Sequence, residues 1–81
     1  MNWRIKMNDK LVSKAEAKFI IAGVEKDRYF ELIAFAKDEF TAYLIRKAVI
    51  DDGGSANVVP FSEENLKEIE DKIEIEFHKT I

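Results

Sequence analysis

Without one cysteine among its 81 residues, this chain can be neither stapled by disulfides nor organised around a thiolate metal site. Whatever holds it must come from a hydrophobic core. A chain of this length buries roughly 60–65% of the surface its unfolded form exposes, enough for one domain (residues 1–81) with a thin stability margin. Apolar residues make up 47% and charged residues 36%, and six Phe, two Tyr and one Trp are spread along the chain. That balance belongs to a globular domain and argues against disorder.

The end of the chain carries the clearest local signals. Ser62 is a good helix N-cap, and Glu63 and Glu64 follow in the first turn, where their charge suits the helix dipole. Leu66, Ile69 and Ile73 recur at helical spacing, which predicts a short amphipathic helix over 62–72. From Ile73 the period becomes two: Ile73, Ile75 and Phe77 alternate with Glu74, Glu76 and His78, which predicts a half-buried strand over 73–79.

In the middle, residues 15–24 and 28–37 flank the polar turn Glu25-Lys26-Asp27 and read as a β-hairpin. Asp38 caps a helix running to about Ile50, stopped at Asp51-Asp52-Gly53-Gly54. Asn57-Val58-Val59 makes a short strand, with Pro60 placing it at an edge or ending it. A rival parse makes 25–40 one helix, with Tyr29, Leu32, Ile33, Ala36 and Phe40 on a stripe, and gives a ferredoxin-like βαββαβ order. It leaves Phe30, Ala34 and Phe35 off the stripe, so the hairpin parse fits better. The expected class is α+β: a small antiparallel sheet with two helices packed on one face, in ββ-β-α-β-α-β order. Phe19, Leu32, Leu44, Ile69, Ile75 and Phe77 are the expected core, with Trp3, Ile5 and Met7 adding to the covered face.

Chemistry is sparse. His78, the single histidine, reads as an exposed strand residue, because a metal site would need further ligands and only carboxylates remain. Ser13, Ser55 and Ser62 lie in no nucleophile-elbow setting. Asp51-Asp52-Gly53-Gly54-Ser55 lacks both the phosphate-loop pattern and the spaced ligands of a calcium loop. The acidic run from Glu63 to Asp71 reads as a solvated helix face partly paired with Lys67 and Lys72. The expectation is a non-enzyme with no cofactor, no metal and no catalytic residue.

The net charge of −3 is too small to point to nucleic acid. The longest apolar run, residues 32–36, falls far short of the ~20 residues that span a bilayer. Residues 1–6 hold no run resembling a signal peptide. These readings predict a cytoplasmic protein with no membrane partner. In the hairpin parse the face away from the helices mixes charge with Ile20, Tyr29, Ile33 and Phe35, an apolar cluster with a charged rim. These four are the expected binding residues, for another protein or for a second copy of the chain. The size suits a small regulator, inhibitor or phage-type accessory protein. The alternative is single-stranded nucleic acid, with Tyr29 and Phe35 stacking on bases and Arg4, Lys6 and Lys18 holding phosphates.

Overall fold

The computed structural model describes residues 2–80, and side chains as far as residue 78. A short helix α1 (Trp3–Lys6) and two single 3₁₀ turns (Asn8–Lys10 and Lys14–Glu16) lead into strand β1 (Phe19–Val24). Strand β2 (Phe30–Ala36), helix α2 (Glu39–Asp51), strand β3 (Ser55–Pro60) and helix α3 (Glu63–Thr80) follow. The sheet is antiparallel throughout, in the order β2-β1-β3. The domain is therefore α+β with two main helices, as the sequence predicts.

Local chemistry sets the boundaries. Asp27 takes a left-handed conformation (φ 61°) in the turn between β1 and β2, which a short polar side chain tolerates. The Asp38 carboxylate accepts from the Thr41 N–H at 2.8 Å, and that bond holds its carboxyl below the usual aspartate range. Gly53, at φ 97°, turns the chain out of α2, and the Gly54 N–H donates back to the Val49 carbonyl at 3.0 Å. Ser62 Oγ accepts from the Asn65 N–H at 2.9 Å, the N-cap its position predicts.

Between Ile21 and Ala22 the β1–β2 register shifts, leaving Ile33 unmatched on β2. Such a bulge brings two successive residues of one strand against the same neighbour. Ile33 and Ala34 accordingly belong to one buried cluster with Ile21, Ala36 and Ala56 of the sheet and Ala42, Ile45 and Val49 of α2. Trp3 and Met7 of the N-terminal segment close one side of it.

The two helices take one face of the sheet each, rather than sharing one. Successive strand residues point to opposite faces, and Ile21 lies under α2. Ile20 and Ala22 therefore face the other way, toward α3, where Leu66 is buried and Ile69 lines a shallow pocket with Ala22, Phe30 and Val59. α3 lies mainly over β2.

Three further expectations need correction. Residues 73–79 are helix, not strand. Leu66, Ile69, Ile73 and Phe77 continue the i, i+3, i+7, i+11 stripe of one helix, so two of the three alternating residues serve either period. Strand β2 already ends the sheet on that side, with Val12 donating to the Phe35 carbonyl, and no ladder is offered to a fourth strand. Residues 3–6 form helix, and residues 15–18 lead into β1 as the end of a 3₁₀ turn and a bend rather than as strand. In the expected core, Phe19, Leu32, Leu44 and Ile69 are half-buried, whereas Ile75 and Phe77 are mostly exposed. By Lys72, whose Nζ sits 4.5 Å from the Phe30 ring centroid, α3 has reached the first residue of β2. Its later turns run past the sheet. Ile75→Ala should accordingly change stability by no more than about 0.5 kcal/mol, as exposed substitutions do. A chemical-denaturation curve checks this, and a loss of several kcal/mol would return residue 75 to the core.

Candidate binding surface

The four residues expected to form one apolar patch are not brought together. Ile20 is 0% exposed and lies on the α3 side, whereas Ile33 is 4% exposed and lies on the α2 side. Phe35 is half-buried and packs edge-on against Phe61, with ring centroids 6.1 Å apart. Tyr29 alone is open, 67% exposed in the turn before β2. The cause is the second helical layer: α3 occupies the face expected to be solvated, and the bulge at Ile33 turns that residue into the opposite core.

Ile5 on α1 and Ile75 and Phe77 on α3 are exposed, and three more large apolar residues stand exposed on α2 beside the sheet. Ala42, Ile45 and Val49 point into the sheet, and Ala48 and Asp51 line a pocket with Trp3 and Lys6 of α1. On the other flank Arg46 leaves the helix toward β3, its Nε donating to the Ala56 carbonyl at 2.9 Å. Residues three and four apart are surface neighbours on a helix, so Tyr43 and Ile50 stand on either side of Arg46, on the flank that looks over β3. They are 51% and 40% exposed, and Phe40, one turn before Tyr43, is 74% exposed. Lys47 and Asp51 pair at 2.8 Å beside them. The signal was present in the sequence: Phe40, Tyr43 and Ile50 form a second stripe that Ala42, Ile45 and Val49 do not need.

β3 continues this flank. It is an edge strand whose six residues, Ser55 to Pro60, carry no charge. Natural edge strands are commonly blunted by charged side chains, proline, bulges or covering segments. The β2 edge has such a cover, the Val12 N–H bond to Phe35 noted above. β3 has Pro60 and the reach of Arg46.

A second cluster ties α1 to the hairpin. The Trp3 indole N–H donates to Glu25 at 2.6 Å and Arg4 donates to the same carboxylate at 3.1 Å, with Arg28 at 3.8 Å. Burial pushes the Glu25 carboxyl up, but hydrogen bonds from Glu31, Trp3 and Arg4, with the charge of Arg4, outweigh it and leave it below the ordinary glutamate range. Glu31 moves the other way, raised by its hydrogen bond to Glu25, by burial and by the Glu25 charge, with Arg28 and Arg4 opposing. Glu25 thus stabilises the fold above the ordinary glutamate range and loses that contribution as pH falls through its depressed value. Glu31 contributes fully below that range and loses its contribution as pH rises through its raised value. Glu31→Gln should therefore raise the melting temperature at about pH 7 and lose the advantage near about pH 4, where the wild-type carboxyl is itself protonated. Trp3, the single tryptophan, reports the same titration by fluorescence. Equal melting temperatures at neutral pH would mean that the two carboxyls do not interact.

His78 is exposed, its Nε2 3.9 Å from Glu74 Oε1, one turn away on α3. Among the described residues no group of three His, Asp or Glu side chains is placed to hold a metal ion, and no helix is long and apolar enough to cross a membrane. No protein-family model, curated protein or solved structure matches the chain.

Proposed function

We propose that this chain is a protein-binding module that acts without catalysis, as a small cytoplasmic regulator or self-associating accessory protein. The contact surface is the flank of α2 carrying Phe40, Tyr43 and Ile50, together with the β3 edge beside it. The observation that carries this reading is the exposure of three large apolar side chains on one helix, next to an uncharged edge strand. Large aromatic side chains carry a disproportionate share of interface energy when a partner buries them. The surface reaches beyond the scattered apolar residues that any domain leaves exposed, because helix flank and strand edge adjoin.

Base stacking on the sheet has less support. That mode needs an open sheet face bearing aromatics, and here each face carries a helix. Phe35 is packed against Phe61, and Tyr29 stands alone in a turn.

The test is a Tyr43→Ser/Ile50→Ser double variant. Its melting temperature should stay within a few degrees of wild type, since both residues are exposed. Capture from a lysate of the source cells, compared between the two proteins, should lose the specific partner by roughly tenfold or more. Identical capture by both proteins would place the contact elsewhere.

A further inference from the structure

We infer that the occupant of this surface is a second copy of the chain, joined β3 to β3 in one continuous six-stranded antiparallel sheet. This rests on the protein-binding reading above and names its partner.

The phase of the β3 backbone is fixed. The Phe61 N–H donates to the Lys18 carbonyl at 2.8 Å, and pairing with β1 continues through Ile20↔Val59, Ala22↔Asn57 and Val24↔Ser55. Hydrogen-bonded pairs alternate along an antiparallel ladder. Residues 55, 57 and 59 therefore spend their peptide groups on β1, and Ala56, Val58 and Pro60 turn theirs outward. The Arg46 bond to the Ala56 carbonyl confirms that direction.

A twofold axis through Val58 pairs Val58 with its copy, each N–H donating to the other carbonyl, and pairs Ala56 with Pro60 of the second copy. The Ala56 N–H then donates to that Pro60 carbonyl. The carbonyl already accepts from Asn65 Nδ2 at 2.8 Å and has a second lone pair to offer. In return proline has no N–H to give, which would orphan the Ala56 carbonyl. That carbonyl is the one Arg46 already satisfies. In a register one pair shorter, Ala56 faces Val58, whose N–H would compete with Arg46 for the same oxygen. The side-chain bond and the proline thus select a single self-complementary register.

Packing and charge agree with it. In such a sheet both α2 helices lie on the same face beside the axis, with the Tyr43 and Ile50 flanks turned toward each other. α2 itself is neutral, two acidic residues against two basic ones, and β3 is uncharged. α3 carries seven carboxylates against three lysines; it starts beside β3, where Asn65 donates to the Pro60 carbonyl, and runs from there mainly over β2. Where α3 lies over β2, five strand spacings of ~4.8 Å put the two copies about 24 Å apart, beyond the ~8 Å over which exposed charges interact in physiological salt, and at its start Glu63 is paired with Lys14 at 3.6 Å.

Sedimentation equilibrium and light scattering, taken up to about 1 mM so that weak pairs populate, should show the mass rising to twice the 9.4 kDa chain. Hydrogen exchange at the Val58 amide should slow by tenfold or more over the same range. Val58→Pro removes an outward N–H at a position where an edge strand accepts proline; it also alters a half-buried side chain that packs against the core, and should leave a less stable but folded monomer. Tyr43→Glu, away from the strand, should weaken association by at least tenfold and serves if the proline variant misfolds. A wild type that stays at single-chain mass, with Val58 exchanging as freely as an exposed amide, overturns the inference. So does a dimer that survives both variants. A monomer that still captures another protein through Tyr43 and Ile50 overturns the pairing and leaves the protein-binding reading standing.

Discussion

Gly23→Ala is expected to unfold the domain, or to leave it marginal at room temperature. Gly23 sits in the central strand, opposite Glu31 of β2 and Ala56 of β3. A methyl group there would collide with the Ser55 carbonyl oxygen and lie 2.7 Å from the Ala56 Cα. Both are backbone atoms, so no rotamer change relieves the contact; β3 would have to leave β1. β3 also holds α2 in place, through Ala56 in the shared core and through the Arg46 bond. Losing that pairing opens the core to water, and the whole stability of a small domain is only ~5–10 kcal/mol. Gly53 is the contrasting case. Its added methyl would meet only the flexible Lys26 side chain, so Gly53→Ala suffers chiefly from its positive φ, about 1 kcal/mol. Thermal melts by circular dichroism separate the two. A Gly23→Ala melting temperature within about 5 °C of wild type, equivalent to roughly 1 kcal/mol in a domain this size, would mean that the strands do not approach this closely.

What the sequence makes legible is governed by how local the deciding interaction is. Asp38 and Ser62 cap helices because each side chain bonds an N–H three residues on, and Gly53 ends α2 by its own backbone freedom. Those boundaries can be read from a few adjacent residues. The β1–β2 hairpin is nearly as local, since the Asp27 turn and the flanking apolar runs suffice. The layer order is not local. A single helix stripe does not say which face of a sheet it covers: α2 and α3 each follow their strand after two residues, yet they take opposite faces. The strand expected over 73–79 failed for a related reason. Ile73 and Phe77 satisfy a period of two and a period of 3.6 equally, and only Ile75 separates them. What settles the matter is whether a strand edge is free to receive that segment, a property of the whole sheet. The binding residues followed the same error. Ile20 is covered because α3 takes the face that the pattern leaves open, and Ile33 is covered because of the bulge that reverses the β2 alternation, which leaves no mark in residue type. The α2 flank needed no such knowledge. Phe40, Tyr43 and Ile50 exceed what one core-facing stripe requires, and that excess was visible at the outset.

The burial of Ile20 and Ile33 on opposite faces leads to the second large effect. Ile33→Asp and Ile20→Asp should each prevent folding at neutral pH, although a patch made of both residues would tolerate either. Ile33 is enclosed by α2 and the N-terminal segment, and Ile20 by the layer that contains Leu66. Arg4 and Arg28 are held at Glu25, Arg46 is held at Ala56, and Lys72 on the α3 side sits over the Phe30 ring. A carboxylate at either position would be desolvated without a partner, at a cost of several kcal/mol, on top of the lost isoleucine packing of ~2–5 kcal/mol. Together these match or exceed the total stability of a domain this size. Tyr29→Asp is the internal control, an exposed turn residue expected to shift stability by less than about 0.5 kcal/mol. Proton NMR makes the distinction directly. The two isoleucine variants should give collapsed amide dispersion, whereas the tyrosine variant should keep the wild-type spectrum outside the turn. Acidification is a further check on mechanism, because a protonated aspartic acid is far cheaper to bury than a carboxylate. Partial recovery of structure as pH falls toward about 4 would identify charge burial as the cause, whereas a variant folded at neutral pH would place that isoleucine at the surface.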